Sequence, residues 1–462
     1  MRSVLSVVFL LTAAVAGAQP RASAAMPASI YGGVPKGTAS LTPIALTIVD
    51  AINRGLDNNL AVLNAEEQLG RARGARWMAL ADLLPNVSGR LSEARQKVNL
   101  EAFGFPLPAG FPAVVGPFNV FDARVRLSQS IFDLRAINNA RAERHKAAAD
   151  SYSVKSTRDL VVLVTANAYL QALAAQARSA SAAAQMQSAD AILQQTSTMK
   201  NNGLVAGIDV LRAEVRLATE RQRTTAARND FEKSKLQLAH LVGLPIGQEF
   251  TLLDDLPFVP IPDITLDQAL EQAYRTRPDY LAALERVKAA EVARHAAAAE
   301  FLPSAAINAD YGAIGLTPGN ARTTYAIVGA VTVPIFNGGR TRGQIIEADA
   351  DLRMRQAEAD DLKAGIYYDI KNAFLDLTAT GEQLEVATRS RTLAAQQLTQ
   401  ARDRFAAGVA ASLEIVQAQE AVAESSEQYI SALYGYNVAK ALLARGLGVA
   451  EQAVRQYLGG IR

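Results

Sequence analysis

The feature that most constrains this chain is that it is written twice. Leu46-Thr47-Ile48-Val49-Asp50-Ala51-Ile52 returns 218 positions later as Ile264-Thr265-Leu266-Asp267-Gln268-Ala269-Leu270, and Leu84-Pro85 returns at the same offset as Leu302-Pro303. Further on the offset shrinks. Asn167-Ala168-Tyr169-Leu170 reappears as Asn372-Ala373-Phe374-Leu375, Gly203 as Gly408 and Gly243 as Gly448, all 205 positions apart. Self-similarity at a fixed long period marks repeated units that share one fold. The first repeat therefore carries about 13 extra residues between its Leu-Pro and its Ile131-Phe132 landmark, which recurs as Ile335-Phe336.

Proline repeats the pattern. None lies between Pro117 and Pro245, and none follows Pro334. Residues 133–202 contain no glycine either, and Leu160, Leu163, Asn167, Leu170 and Leu173 mark a helical stripe there. Ile366, Ile370, Ala373, Phe374 and Leu377 do the same in the second run, which Gly365, Gly381 and Gly435 are expected to interrupt. Each run breaks once, at Asn202–Gly207 and at Ala406–Ser412. A glycine after a long periodic segment ends a helix, and Ser412 is expected to cap the next. Each repeat thus holds a long helical hairpin. The long helices come to about 100 Å at 1.5 Å per residue, and each repeat also opens with a helix, roughly 47–83 in the first.

Strand-like segments lie between the opening and long helices, each beginning at a Leu-Pro that ends a helix. Ala305, Ile307, Ala309, Tyr311 and Ala313 alternate with Ser304, Ala306, Asn308, Asp310 and Gly312. Tyr325, Ile327, Gly329, Val331, Val333 and Ile335 form a second period-two set, and Val125, Leu127, Gln129 and Ile131 alternate with Arg124, Arg126, Ser128 and Ser130. One apolar face and one small or polar face is the pattern of a membrane β-barrel strand, or of a soluble antiparallel sheet. Four strands are too few to close a barrel, whose smallest membrane versions have about eight, so closure requires several chains. The extra residues of the first repeat fall in Phe103–Phe118, as expected of an extracellular loop.

The fold class is therefore mainly α with a small β part, in an internally duplicated helix-strand-strand-helix-helix repeat. The expected organisation is a signal peptide over 1–18 and a linker over 19–45. Repeat one follows over 46–245, with strands about 86–132 and a hairpin about 136–242. A proline-rich linker over 246–263 leads to repeat two over 264–448, with strands about 304–336 and a hairpin about 340–447, and then a tail over 449–462. Arg2, the apolar run Val4–Val15 and the small residues Ala16-Gly17-Ala18 read as an export signal cleaved between Ala18 and Gln19. That run is shorter than the roughly 20 residues a membrane helix needs, and no later run of 18 apolar residues is evident.

Composition removes several functions. With 47 basic and 45 acidic residues the net charge is +2, which gives no nucleic-acid footprint. There is no cysteine, hence no disulfide, no thiolate metal site, no cysteine nucleophile and no lipid anchored on a cysteine. His145, His240 and His295 fit no ligand spacing and are expected at the surface or in packing. No P-loop, nucleophile elbow or zinc motif is present, so neither catalysis nor a cofactor is expected. Trp77 is expected to serve packing.

Asp82-Leu83-Leu84-Pro85-Asn86-Val87-Ser88, Thr276-Arg277-Pro278-Asp279, Pro334-Ile335-Phe336-Asn337-Gly338-Gly339-Arg340 and Arg404-Phe405-Ala406-Ala407-Gly408-Val409 together resemble the TolC-like outer-membrane efflux proteins, across residues 45–448. The resemblance implies a homotrimer with four strands per chain in a shared twelve-stranded barrel, set in outer-membrane lipid above a helical periplasmic tunnel. It also implies docking to an inner-membrane pump through a periplasmic adaptor. The turns Gly203, Leu204 and Val205, with Gly408 and Val409, are then the adaptor-docking tips. Asp209 and Glu414 open the helices after the two turns. As acids in a first helical turn they favourably meet the helix dipole; by resemblance they also ring the tunnel mouth. Gln417 stands where the family has a second acid, Phe405 where a tyrosine is common, and Ala410 where a basic residue is common, so the family's closing hydrogen bonds are not all reproduced. The alternative is a periplasmic coiled-coil adaptor or scaffold, which would carry one hairpin between β-rich domains and no duplicated strands.

Overall fold

The computed structural model describes residues 28–104, 108, 110–259 and 264–457. The expected cleavage point at Ala18 and Gln19 lies outside the described residues.

Each repeat opens with two helices in line rather than one. In the first repeat these are α1 (Ile48–Asn58) and α2 (Leu60–Ala81), separated by the single extended residue Asn59. The second repeat has α5 (Leu266–Thr276) and α6 (Pro278–Ala299), separated by Arg277. The two breaks sit 218 residues apart, at equivalent positions. Arg277 is held out of the helical region because Pro278 follows it. No proline follows Asn59; its side chain instead accepts from the Ala61 N–H as a helix cap and donates to the Ile30 carbonyl oxygen. Thr47 and Thr265 start α1 and α5 with the same reciprocal cap, using Asp50 and Gln268.

The long hairpins follow the strands. α3 (Leu134–Asn201) has 68 residues and α7 (Arg340–Ala406) has 67, or about 100 Å each. Each returns through a half-length helix of 35 residues, α4 (Gly207–Leu241) and α8 (Ser412–Gly446). Gly365, Gly381 and Gly435 stay helical. A Cβ on Gly381 would lie 3.8 Å from Tyr436 and one on Gly435 would lie 3.6 Å from Thr380, so two of these glycines serve close packing of α7 on α8. That packing outweighs the roughly 1 kcal/mol a helical glycine costs. An 18-residue stretch of α3 is apolar enough to cross a membrane, but 67% of it is buried inside the chain, as befits a core helix.

One core sits at mid-height in each repeat. In the first, Leu46, Val62, Val161, Tyr169, Leu170, Leu238 and Phe250 are buried together; in the second, Ala269, Ile366, Ile370, Leu443 and Leu447 are. The half-length helices α4 and α8 end there at Gly243 and Gly448, which have φ of 65° and 69°. Both abut the helix breaks: a Cβ would fall 2.7 Å from Asn58 on Gly243 and 2.7 Å from Arg277 on Gly448. Segments expected as linkers also carry structure. β1 (Ile44–Leu46) pairs in parallel with β4 (Phe250–Leu252), and α9 (Ala450–Tyr457) packs on α3 through Arg158 and Glu451. Three-residue strands leave no periodic signal to read.

At the far end of the long helices, β2 (Asn86–Asn99), β3 (Val114–Phe132), β5 (Ser304–Gly315) and β6 (Arg322–Thr332) form one antiparallel sheet in the order β2-β3-β5-β6. β3 begins at Val114, so part of the expected Phe103–Phe118 loop is strand, paired past a bulge at Gln96/Val98. β6 ends at Thr332, two residues before Pro334, which lacks the N–H needed to continue a ladder.

Candidate functional site

The sheet has two unlike faces. In register across it, Gly89, Val125, Tyr311 and Tyr325 share one row, and Val87, Leu127, Ala309 and Ile327 the next. Val87, Val125, Tyr311, Tyr325, Ile327 and Val331 are more than half exposed in the single chain. The opposite face carries Arg90, Asp122, Arg124, Arg126, Asn308 and Asp310. The Arg124 guanidinium is clamped there by Asp122 at 2.7 Å and Asp310 at 2.6 Å. Among the described residues, the outer strands β2 and β6 each leave one edge unpaired. Such a sheet suits lipid on one side and water on the other only if its edges are closed by further strands.

The two hairpin turns lie at the opposite end. Gly203 and Gly408 have φ of 74° and 75°, a conformation that only glycine adopts cheaply. At both turns the same pair of bonds closes the helix: Leu204 N–H donates to Met199 O and Gly203 N–H to Lys200 O, while Val409 N–H donates to Arg404 O and Gly408 N–H to Phe405 O. Leu204 and Val409 are each 68% exposed. Val205 is instead half-buried, packed with Ala410 against Phe405, Ile415 and Ile192, so an apolar cluster joins the two tips. Phe405, lacking a hydroxyl, is a buried member of that cluster.

Asp209 and Glu414 occupy equivalent third positions of α4 and α8. Asp209 faces Arg212 at 3.2 Å and Glu414 faces Arg404 at 3.4 Å, so each acid has a cation beside it. Gln417 is exposed. Ser412 does not cap α8. It is that helix's first residue, after Ala411, and its hydroxyl donates to Asp209. Deeper between α4 and α8, Arg216 and Glu220 pair at 2.8 Å while buried, and Glu420 accepts from both Arg216 and Arg223. The arginine partners draw the Glu420 carboxyl below its ordinary range. Sequence reading missed this network. Arg216, Glu220 and Arg223 have helical salt-bridge spacing, but nothing local points to Glu420, which lies about 200 residues away. Beside it α3, α4 and α8 line a groove of about 970 Å³ that includes Arg178, Asp230, Lys233, Glu424 and Glu427.

Of the histidines, His145 pairs with Glu285 at 2.7 Å, and His240 and His295 are exposed. Trp77 is not packed within the chain; it is 68% exposed on α2 beside Met78. No cluster of potential metal ligands occurs among the described residues.

The doubled hairpin with a strand pair in each repeat is an architecture shared with known proteins. The outer membrane efflux protein family matches residues 51–244 and 269–449. This chain belongs to that family. It is 24% identical over 412 residues to the pyoverdine export outer membrane protein OpmQ of Pseudomonas putida, covering 87% of this chain and 85% of that one. It is 22% identical over 421 residues to the alkaline protease secretion protein AprF of Pseudomonas aeruginosa, covering 88% and 86%. In fold it matches the CmeC outer membrane channel of Campylobacter jejuni, with a TM-score of 0.76 at 18% identity over 90% of each chain. The protein is thus an outer-membrane exit channel of an efflux or secretion system, and its barrel end lies in the outer membrane with the helices in the periplasm. The adaptor alternative is set aside: its single hairpin does not match a family that spans both repeats.

Proposed function

We propose that three copies of this efflux protein close the sheet into a twelve-stranded barrel and the helices into one periplasmic tunnel, a passive conduit driven by an inner-membrane pump reached through a periplasmic adaptor. The observation that carries this reading is the four-stranded sheet with an exposed apolar face and two open edges: the face needs lipid, and lipid does not tolerate the open edges of a single chain. Three such sheets give twelve strands, the number that the sequence resemblance implies.

In this reading the tips Gly203, Leu204, Val205, Gly408 and Val409 receive the adaptor, with Leu204 and Val409 as the exposed apolar contacts. Asp209, Glu414 and Gln417 line the periplasmic gate. The family's cargo is mixed, as the pyoverdine exporter and the protease secretion protein illustrate. The conduit is accordingly for small molecules or proteins selected by its partners. The chain supplies no nucleotide-binding motif and so no energy of its own.

The test is the mass of the purified protein in detergent, expected at three chains; a monodisperse monomer overturns the proposal. Gly408→Asp should abolish efflux while trimer and export persist, because the left-handed turn rejects a side chain and the apolar tip rejects a charge. Full efflux by that variant removes the tips from the docking surface.

A further inference from the structure

We infer that the inner face of the barrel carries a basic selectivity band, built by Arg90, Arg124 and Arg126, that favours multiply anionic solutes on their way out. The inference rests on the barrel reading above and adds a discrimination that the family assignment does not contain.

The register places Arg90 of β2 directly opposite Arg124 of β3, with Arg126 two residues along β3 on the same face. Like charges directly opposite across a ladder repel, and here Asp122 and Asp310 offset the charge of Arg124. The arginines share a face with Asp122, Asn308 and Asp310, and the other face holds Val87, Val125, Tyr311 and Ile327. With the apolar face in lipid, the arginines point into the lumen.

The charge on that face is built in rather than incidental. Gly312 is the residue opposite Arg124. A Cβ there would lie 2.3 Å from the Arg124 Cβ, so the glycine leaves the path along which Arg124 reaches Asp310. Arg124 consumes both aspartates of the band, Asp122 and Asp310. Arg90 and Arg126 are exposed and have no ion pair among the described residues. Arg322, opposite Ile314 on the same face, continues the basic surface toward the extracellular rim. Repeated by three chains, the unpaired arginines form a positive ring in a confined aqueous passage, where such rings set the preferred sign of charge. The band stands about 100 Å from the acids of the tips, far beyond the screening length at physiological salt, so the two act separately.

The experiment is single-channel recording of the full-length trimer in a planar bilayer, with hexacyanoferrate(II), a compact tetraanion, added on the barrel side. Wild-type channels should be blocked. Arg90→Gln with Arg126→Gln should raise the half-blocking concentration by at least about tenfold, the scale on which a charged passage concentrates counter-ions. Equal block of wild type and the double arginine variant, or no block of the wild type, overturns the band while the barrel stands. A monodisperse monomer in detergent overturns the barrel reading and the band with it. Should the double variant fail to assemble, Arg126→Gln alone is expected to show a smaller rise in the same direction, and the absence of that rise also overturns the band.

Discussion

Ser412 Oγ donates to Asp209 Oδ1 at 2.5 Å, joining the first turn of α8 to the first turn of α4 across 203 residues of sequence. The bond connects the two hairpins at the level of the proposed tunnel mouth. A hydrogen bond to a charged acceptor contributes about 1.5 kcal/mol or more, which is about a tenfold shift in an equilibrium. Ser412→Ala leaves Asp209 with Arg212 alone. The expected outcome is a higher open probability of single channels and freer entry of large antibiotics into cells. An open probability equal to wild type would show that the bond does not hold the mouth.

Glu220 pairs within α4 with the arginine that also reaches Glu420 of α8. Its side chain is 1% exposed, and the Arg216 beside it is 9% exposed. Removing one partner of a buried ion pair strands the other charge and costs about 3–5 kcal/mol. Glu220→Ala should therefore lower stability on that scale in urea unfolding, moderated by the second carboxylate, Glu420, at Arg216. The pair Arg216→Met with Glu220→Leu should recover most of the loss, because a well-packed apolar pair avoids the desolvation. A double variant as unstable as the single would be incompatible with this account.

The duplication was legible because its landmarks have backbone reasons. Gly203, Gly243, Gly408 and Gly448 all take positive φ at helix ends, and Thr47 and Thr265 cap equivalent helices, so these residue types recur where the geometry recurs. The two-faced alternation of the strands was readable because successive side chains point to opposite faces, so apolar and polar residues sort at a period of two. Asn59 was not readable as a break, because asparagine is tolerated within helices and its decisive partner, Ile30, lies outside the repeat. At the tips the positions of Asp209 and Glu414 could be read from the turns. The partner of Asp209 could not: Ser412 has a better local use as a cap, and the tertiary contact overrides it. α9 is only 8 residues long and β1 only 3, too short for a period to show.

Gly312 and Gly329 provide a matched pair in the barrel. An added Cβ at Gly312 meets the Ala123 carbonyl oxygen and the Arg124 Cβ at 2.3 Å, whereas at Gly329 it meets nothing. Gly312→Val should displace Arg124 from Asp310 and reduce the yield of assembled, heat-modifiable trimer. Gly329→Val should assemble normally, because that position lies on the apolar face and valine suits a strand in lipid. Equal yields from the two variants would mean that the Arg124 path is dispensable.

Asp159 makes stability depend on pH in a direction opposite to most carboxylates. It is buried at the junction of α3 and α9, accepts from the Glu451 N–H, and is pushed up to about 6 by burial, against which that hydrogen bond acts. A folded-state value above the unfolded one, about 3.9, means the native state binds the proton more tightly. Below pH 4 the group is protonated in both states and costs nothing. Between pH 4 and 6 the native state loses ground as pH rises, and above 6 the full cost, about 3 kcal/mol, is in place. Asparagine is close in shape, remains neutral and still offers an oxygen to Glu451. Asp159→Asn should therefore raise the thermal midpoint of the detergent-solubilised protein at pH 7.5 and leave it near wild type at pH 4. A gain of equal size at both pH values would trace the effect to packing instead of ionisation, and no gain at pH 7.5 would mean that the carboxylate is hydrated in the assembled channel.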